Sequence, residues 1–424
     1  PLYSSAASDV YKRQHINWRS SMDESAKITK NWAIVFAIVF VASTLRAPLT
    51  SVGPVIEHIK DAMHINNSVA GILTTIPLLV FAIVSPVVSK VVDKLTMSCT
   101  IVYSTLLLII ALIIRVLGDF NLFIIGTILL GIAIAFGNVV LPSYVKWSFP
   151  AQIGIATGMY SGTMNFTAGI GGGASVPLSQ MTSLGFRVSL AFWIVFGIIA
   201  LALWLPNVSK GVKSEQRDHI NQSKQPDSNK KVKVLKSKLA WTVAMVMAFQ
   251  SMIFYTNVAW MPTILIDRGL SPSTAGYLFM LSQFAQVPMT FVFPILASKL
   301  KDQRILVVII ALLFITGYCL FFTHALIFLV IGILIIGLAM GACFSLCMTF
   351  FSIRARTSKG SIALSGFGQS IGYLIAAVGP FFVGWLHDTT GDWNSAIIAL
   401  ITMAVLVLIF GYPTAKNKVI EDQQ

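Results

Sequence analysis

The sequence predicts an all-α, polytopic membrane protein whose twelve transmembrane helices form two six-helix pseudo-repeat halves. Three observations carry that prediction. The 424 residues are 56% hydrophobic and only 11% charged, with a mean hydropathy of +0.81. An ordinary soluble domain is about a quarter charged, and a chain this apolar cannot hide its surface in a water-soluble fold. The charges are spaced so that runs such as 120–145, 188–209 and 239–266 contain none. The one long polar segment, 207–237, falls near the midpoint, with six apolar runs on each side. Soluble enzymes, nucleic-acid binders and disordered scaffolds are excluded by composition. The net charge of +14 sits in short clusters between apolar runs, which suits loops at a membrane surface rather than a basic groove.

A crossing helix needs about 20 predominantly apolar residues. Span 1, 31–56, is interrupted by a single charge, Arg46. Spans 2, 3 and 4 follow at 67–90, 97–117 and 121–145. Span 5, 152–178, carries Gly154, Gly158 and Gly162, the small-xxx-small spacing of close helix contact. Span 6 is 186–206. Residues 207–237, rich in Lys, Asn, Gln and Ser, hold too few apolar side chains to pack and read as a disordered cytoplasmic linker. Spans 7 and 8 are 238–265 and 272–298. The uncharged run 305–353 is too long for one crossing and divides at Thr323-His324 into spans 9 (304–323) and 10 (326–352). Spans 11 and 12 are 359–386 and 393–413, with tails at 1–30 and 414–424. Residues 1–21 have neither a starting methionine nor an apolar core; they are expected to be non-native, with Met22 the natural start.

Duplication is legible between the halves 31–206 and 238–413. Ser68-Val-Ala-Gly71 and Ser273-Thr-Ala-Gly276 are 205 residues apart, and Gly126 and Gly131 match Gly332 and Gly337 at an offset of 206. Of the 30 Lys and Arg residues, 25 fall on the side of the N-terminus and 4 on the other, so both termini are expected in the cytoplasm of a plasma-membrane protein. Cys99, Cys319, Cys343 and Cys347 lie in apolar stretches without disulfide or zinc spacing. The six histidines are in tails or loops, and no phosphate-cradling glycine motif is present. No catalytic residue, metal, cofactor, ATP or nucleic acid is expected, and the chain is not read as an enzyme. The expected partners are a small-molecule substrate and the lipid bilayer, and the expected working unit is a monomer.

Two six-helix halves related by an axis along the membrane normal are the build of major-facilitator transporters. Leu45-Arg-Ala-Pro-Leu-Thr-Ser-Val-Gly-Pro54 resembles the signature of their CynX/NimT family, named for cyanate and 2-nitroimidazole transporters. Gly137-Asn-Val-Val-Leu-Pro-Ser-Tyr-Val-Lys146 with Phe149-Pro150 resembles its span 4 motif. Gln250-Ser-Met-Ile-Phe-Tyr255 with Trp260-Met-Pro262 resembles its span 7. Gln369-Ser-Ile-Gly-Tyr373, Gly379-Pro380 and His387-Asp388 resemble its span 11. The similarity covers essentially all of 31–413. The general major-facilitator loop motif after span 2 is degenerate: Ser89, Asp93 and Lys94 keep its middle, and Leu95-Thr-Met-Ser98 lacks its basic end. The resemblance implies a secondary transporter working by alternating access, a site between the halves, Arg46 as a substrate contact, and gating by Ser89, Asp93 and Lys94.

Arg46 lies about 22 Å into span 1 at 1.5 Å per residue, past the midplane. A buried arginine costs several kcal/mol and needs a cavity or a partner, yet none of the sixteen acids lies mid-span. The substrate is therefore expected to supply the negative charge, matched to a planar guanidinium fork. Pro48 breaks the helix and frees the carbonyl of Thr44, placing Thr50 on a polar patch at the same depth. Asn138 precedes Pro142 by four, so its carbonyl is freed as well. Gln250, Tyr255, Gln283, Gln369 and Tyr373 lie at similar depth, and each alone is also the kind of polar group that glues helices together. The expected solute is a small anion, cyanate-like or a small organic anion. A neutral nitroimidazole- or drug-like export substrate, a nitrate-type porter and an integral-membrane enzyme are the alternatives. No Asp, Glu or His lies within a span, and Glu57, Asp267 and Asp388 sit only near the outer boundary. No carboxylate of the chain is then expected to carry a coupling proton.

Overall fold

A computed structural model describes residues 32–65, 67–223 and 234–423; the expected tail at 1–30 lies outside the described residues. Helices run through the chain in order, with no strand among the described residues. Among the described residues eleven are long and apolar enough to cross a membrane, beginning with Trp32–Val55 and ending with Asn394–Thr414. The twelfth, Ile153–Gln180, has the length but contains seven glycines and six serines and threonines, which keep its hydropathy low. The division at Thr323-His324 is present: span 9 ends with the turn Leu320–Phe322 and span 10 is Leu326–Ile353. Twelve crossings return the chain to the face from which it started, called here the terminal face.

Two of the crossings are broken. Span 1 is Trp32–Thr44 and Ala47–Thr50, separated at Leu45-Arg46. Span 11 is Ser358–Ala376 and Val378–Thr390, hinged at Ala377. One large apolar cluster fills each half, a smaller third one around Phe123 and Phe186 lies in the first half, and the first large cluster also takes in Met247, Phe344, Cys347 and Phe351 from the second half. The halves therefore share core.

The expected disordered linker is corrected over much of its length. Span 6 continues as one helix, Phe186–Ser223, so residues 207–223 are helical; residues 224–233 lie outside the described residues. The reason is docking that composition does not reveal. The Glu215 carboxylate accepts from the backbone N–H groups of Met97 (2.7 Å) and Ser98 (2.9 Å) and from the Ser98 hydroxyl (2.5 Å). A carboxylate there satisfies orphan donors and complements the dipole at the start of span 3. The C-terminal tail is tied down in the same way. Ile420 is fully buried and its N–H donates to the Arg354 carbonyl, while Glu421 accepts from the N–H groups of Arg356 and Thr357 ahead of span 11.

Prolines prepare the boundary between the halves. Within a helix a proline leaves the carbonyl four residues earlier without its donor. Pro86 frees the carbonyl of Ala82, which accepts from Ser370 Oγ at 2.6 Å. Pro142 frees that of Asn138, which accepts from Gln369 Nε2 at 3.0 Å. Pro294 frees that of Thr290, which Ser161 Oγ approaches at 3.3 Å. Each donor belongs to the opposite half. Further along, Ser143 and Ser361 hydroxyls meet at 3.0 Å, Ser352 Oγ donates to the Pro142 carbonyl, and Lys146 Nζ donates to the carbonyls of Ser352 (2.8 Å) and Ala355. Each of these bonds joins residues in the part of its helix nearer the terminal face. The molecule is closed on that face.

Candidate substrate-binding site

The site grows out of the break in span 1. Pro48 has no N–H to give the Thr44 carbonyl, and the chain departs from helical geometry at Arg46, with φ −132° and ψ −40°. Buried polar backbone must find partners, and neighbouring helices supply them. Thr167 Oγ1 donates to the Ser43 carbonyl at 3.2 Å, and Arg115 Nη1 donates to the Pro48 carbonyl at 3.1 Å. Ser51 Oγ donates to the Ala47 carbonyl at 2.7 Å and accepts from Trp193 Nε1 at 2.7 Å. Thr50 Oγ1 donates to the Ala168 carbonyl at 2.9 Å. Span 5 comes so close that a Cβ on Gly171 would stand 2.8 Å from the Ala47 oxygen. Arg46 is thus presented from a clamped bend.

Its guanidinium reaches across the boundary between the halves. The carbon Cζ lies 3.9 Å from the ring centre of Phe254 in span 7 and 4.4 Å from that of Phe344 in span 10. Nη1 donates to Asn165 Oδ1 of span 5. That is its one hydrogen bond among the described residues, where it also has no carboxylate partner. The aromatic wall continues beyond Phe254: Tyr255 meets the Phe254 ring edge-on at 5.2 Å, the Tyr255 and Tyr373 rings are 6.4 Å apart, and Tyr373 packs on Phe81 at 4.9 Å. An aromatic face stabilises a desolvated cation by about 2 kcal/mol. Rings and an amide oxygen offset part of the cost of burial, but they leave the positive charge uncancelled.

Of the residues singled out in the sequence, Arg46, Tyr255 and Tyr373 are joined through the Phe254 ring, Arg46 on its face, Tyr255 at its edge and Tyr373 next to Tyr255. Asn138 and Gln369 meet each other, through the Asn138 carbonyl. The remaining amide oxygen of Gln369 is buried without a partner. Gln250 is buried and bonded to Ser251, and Gln283 pairs with Gln286 on its own helix at 2.8 Å; neither touches the Arg46 group through a described contact. Thr50 ties span 1 to span 5. Ser89, Asp93 and Lys94 lie at the terminal-face end of span 2, Asp93 and Lys94 exposed, and make no hydrogen bond to the other half among the described residues. Four contributors escaped the sequence reading: Asn165, Phe254, Phe344 and Arg115. Asn165 is the one amide in the middle of span 5. Phe344 lies 206 residues beyond Asn138, the repeat offset, so the repeat places it at an equivalent depth.

Residues 33–377 match the family model of the Major Facilitator Superfamily. The chain belongs to that superfamily. Within it, the relatives place this transporter in the CynX/NimT family. It is 37% identical over 397 residues to the uncharacterized transporter YycB of Bacillus subtilis (strain 168), covering 93% of this chain and 96% of the relative. It is 33% identical over 393 residues to the 2-nitroimidazole transporter of Escherichia coli (strain K12), covering 92% and 97%. With the cyanate transport protein CynX of the same organism the identity is 24% over 382 residues, covering 89% and 97%. The fold matches the proton:xylose symporter XylE at a TM-score of 0.77, with 13% identity, over 94% of this chain and 99% of that one. The transporter therefore has the major-facilitator fold, works as a secondary transporter on a small molecule, and is embedded in the membrane through many crossings.

Proposed function

We propose that this transporter moves a small anion by alternating access, with Arg46 as the cation that binds it. The observation that carries the reading is the Arg46 guanidinium, buried between Phe254 and Phe344 with one amide partner and no acid among the described residues. A linear or planar anion would supply the missing charge and accept two hydrogen bonds from one edge of the fork. The names of two relatives, a cyanate transport protein and a 2-nitroimidazole transporter, fit one recognition chemistry. One terminal atom of linear cyanate can accept both N–H groups of a guanidinium edge, and the two oxygens of a planar nitro group can accept one each. The aromatic surroundings, Phe254, Phe344, Tyr255 and Tyr373, favour a second reading in which the solute is a neutral nitro-aromatic held at the same guanidinium. Following the distribution of Lys and Arg, both termini lie in the cytoplasm of the plasma membrane, and the face closed here is the cytoplasmic one. A single chain is the working unit.

The test is flux into proteoliposomes across a panel of cyanate, small carboxylates and 2-nitroimidazole. Arg46→Ala and Arg46→Lys are expected to lose transport of the preferred solute while inserting and folding normally. Wild-type rates in Arg46→Ala would overturn the role given to Arg46.

A further inference from the structure

On the terminal face the two halves leave a cavity of about 700 Å³ between them. Residues 150–155, entering span 5, form one wall; residues at 295–303, the end of span 8 and the turn after it, form the other; Arg354 and Asn417 also line it. Its charges are of one sign. Among the described residues Lys299, Lys301 and Arg354 line it and no carboxylate does. The adjacent acid, Asp302, is already engaged, since Arg304 Nε donates to its two oxygens at 3.0 and 2.8 Å and Nη2 lies 2.6 Å from Oδ2. Arg354 is held in place by bonds from Nη2 to Gln303 Oε1 and to the Ala415 carbonyl (2.9 Å), so its charge stays in the wall. Apolar surface adjoins the cations. Ile155 and Leu300 line the cavity and remain about two-fifths exposed, as does neighbouring Leu296.

Cations beside an apolar strip at the edge of a membrane helix bundle match an amphipathic anion, polar at one end and hydrocarbon at the other. A soluble anion would use the cations and leave the strip bare. We infer that this cavity binds the phosphodiester headgroup of an anionic phospholipid, with the exposed Lys299 and Lys301 as its cationic contacts, the buried Arg354 adding positive charge from behind the wall, and an acyl chain along Ile155 and Leu300. Because the walls belong to different halves, the bound lipid bridges spans 5 and 8 and favours closure of this face. The inference rests on membrane embedding and is independent of the role given to Arg46.

The full chain, purified in detergent, is titrated with phosphatidylglycerol, phosphatidylcholine or inorganic phosphate, and bound ligand is counted by native mass spectrometry. Phosphatidylglycerol is expected to be retained in preference to phosphatidylcholine. Lys299→Gln with Lys301→Gln lowers its retention about thirtyfold, at the scale of two lysines facing anionic lipid, and Lys299→Arg with Lys301→Arg restores it. Lys210→Gln with Lys213→Gln, on the exposed continuation of span 6, leaves it unchanged. Undiminished retention in the Lys299/Lys301 glutamine variant, or an equal loss in the Lys210/Lys213 control, overturns the inference. Displacement of the lipid by inorganic phosphate at comparable concentration makes the cavity a free-phosphate site and overturns the lipid. If the glutamine variant does not fold, the three-ligand comparison on the wild-type chain decides alone.

Discussion

At the residue scale, the unusual feature is a charge stabilised without being neutralised. Asn165 gives the Arg46 guanidinium an oxygen but no negative charge. Asn165→Asp supplies that charge internally, at nearly the same shape. The new carboxylate competes with an anionic solute for the same fork, so the concentration giving half-maximal uptake should rise at least about tenfold, one close ion pair's worth of competition. A neutral solute should be affected less. Uptake of cyanate and of 2-nitroimidazole by this one variant separates the two readings of the substrate. Arg115 acts at one remove, since it fills the Pro48 carbonyl left open where the short helix Ala47–Thr50 ends. Arg115→Ala orphans that buried oxygen and is expected to destabilise the fold by about 1–3 kcal/mol, read as a lower melting temperature with weaker solute binding. An unchanged melting profile would show that the carbonyl finds another donor.

Helix backbones meet as closely between the halves as within one, where a Cβ on Gly126 would lie 2.8 Å from the Arg115 nitrogen and one on Gly337 2.5 Å from the Ser282 oxygen. Between spans 5 and 8 the backbones touch: a Cβ on Gly154 would lie 2.5 Å from the Pro294 oxygen and 2.9 Å from Ile295 Cα. Neither atom is a side chain that can turn away. Gly154→Ala must therefore part the two helices near the terminal face, and cysteine labels placed there should become more reactive. Gly172→Ala, on the same helix with nothing within 4 Å of the new methyl, is the control; it should be neutral or slightly stabilising. Equal behaviour of the two alanines would mean that contact between spans 5 and 8 does not hold the face shut. The proline-freed carbonyls work in the same boundary. Bonds from Ser370, Gln369 and Ser161 to these oxygens are ones that water can replace when the halves part, so opening exposes few unsatisfiable groups.

For the whole molecule, closure is polar and concentrated on one face. Lys146, from the first half, donates to the carbonyl end of span 10 in the second, where a cation also complements the helix dipole. Lys146→Gln removes the charge and should shift the population toward opening at the terminal face. Distance labels on spans 4 and 10 at that face should report a longer mean separation, and pairs within either half should not change. If the distances within the halves move as much as those between them, the six-helix units are not near-rigid bodies. Coupling belongs to this scale too. Asp267 and Asp388 sit at helix ends on the far side, Glu57 belongs to the short helix Ile56–Met63, and no acid stands beside Arg46 among the described residues. Neutralising Glu57, Asp267 and Asp388 together should leave any pH-driven accumulation intact, because the proton then travels on the solute or not at all. Loss of accumulation with facilitated flux preserved would assign the proton to one of these carboxylates.

Hydrophobic run length and charge spacing determined, from sequence alone, the helical class, the twelve crossings and the division into halves, because lipid accepts only segments that satisfy their own backbone. They also exposed Arg46, since one charge in an apolar run stands out without any knowledge of its neighbours. The neighbours themselves required the tertiary structure. Phe254 and Phe344 look like any other apolar filler in a chain with 28 phenylalanines, and only the packing of the second half against the first turns their faces onto the guanidinium. Residues 207–223 looked too polar to order, and a distant capping contact from Glu215 decided otherwise. Pro86, Pro142 and Pro294 announce freed carbonyls in the sequence. Which donor fills each one depends on how the two halves lie together, and periodicity within a helix carries no information about that.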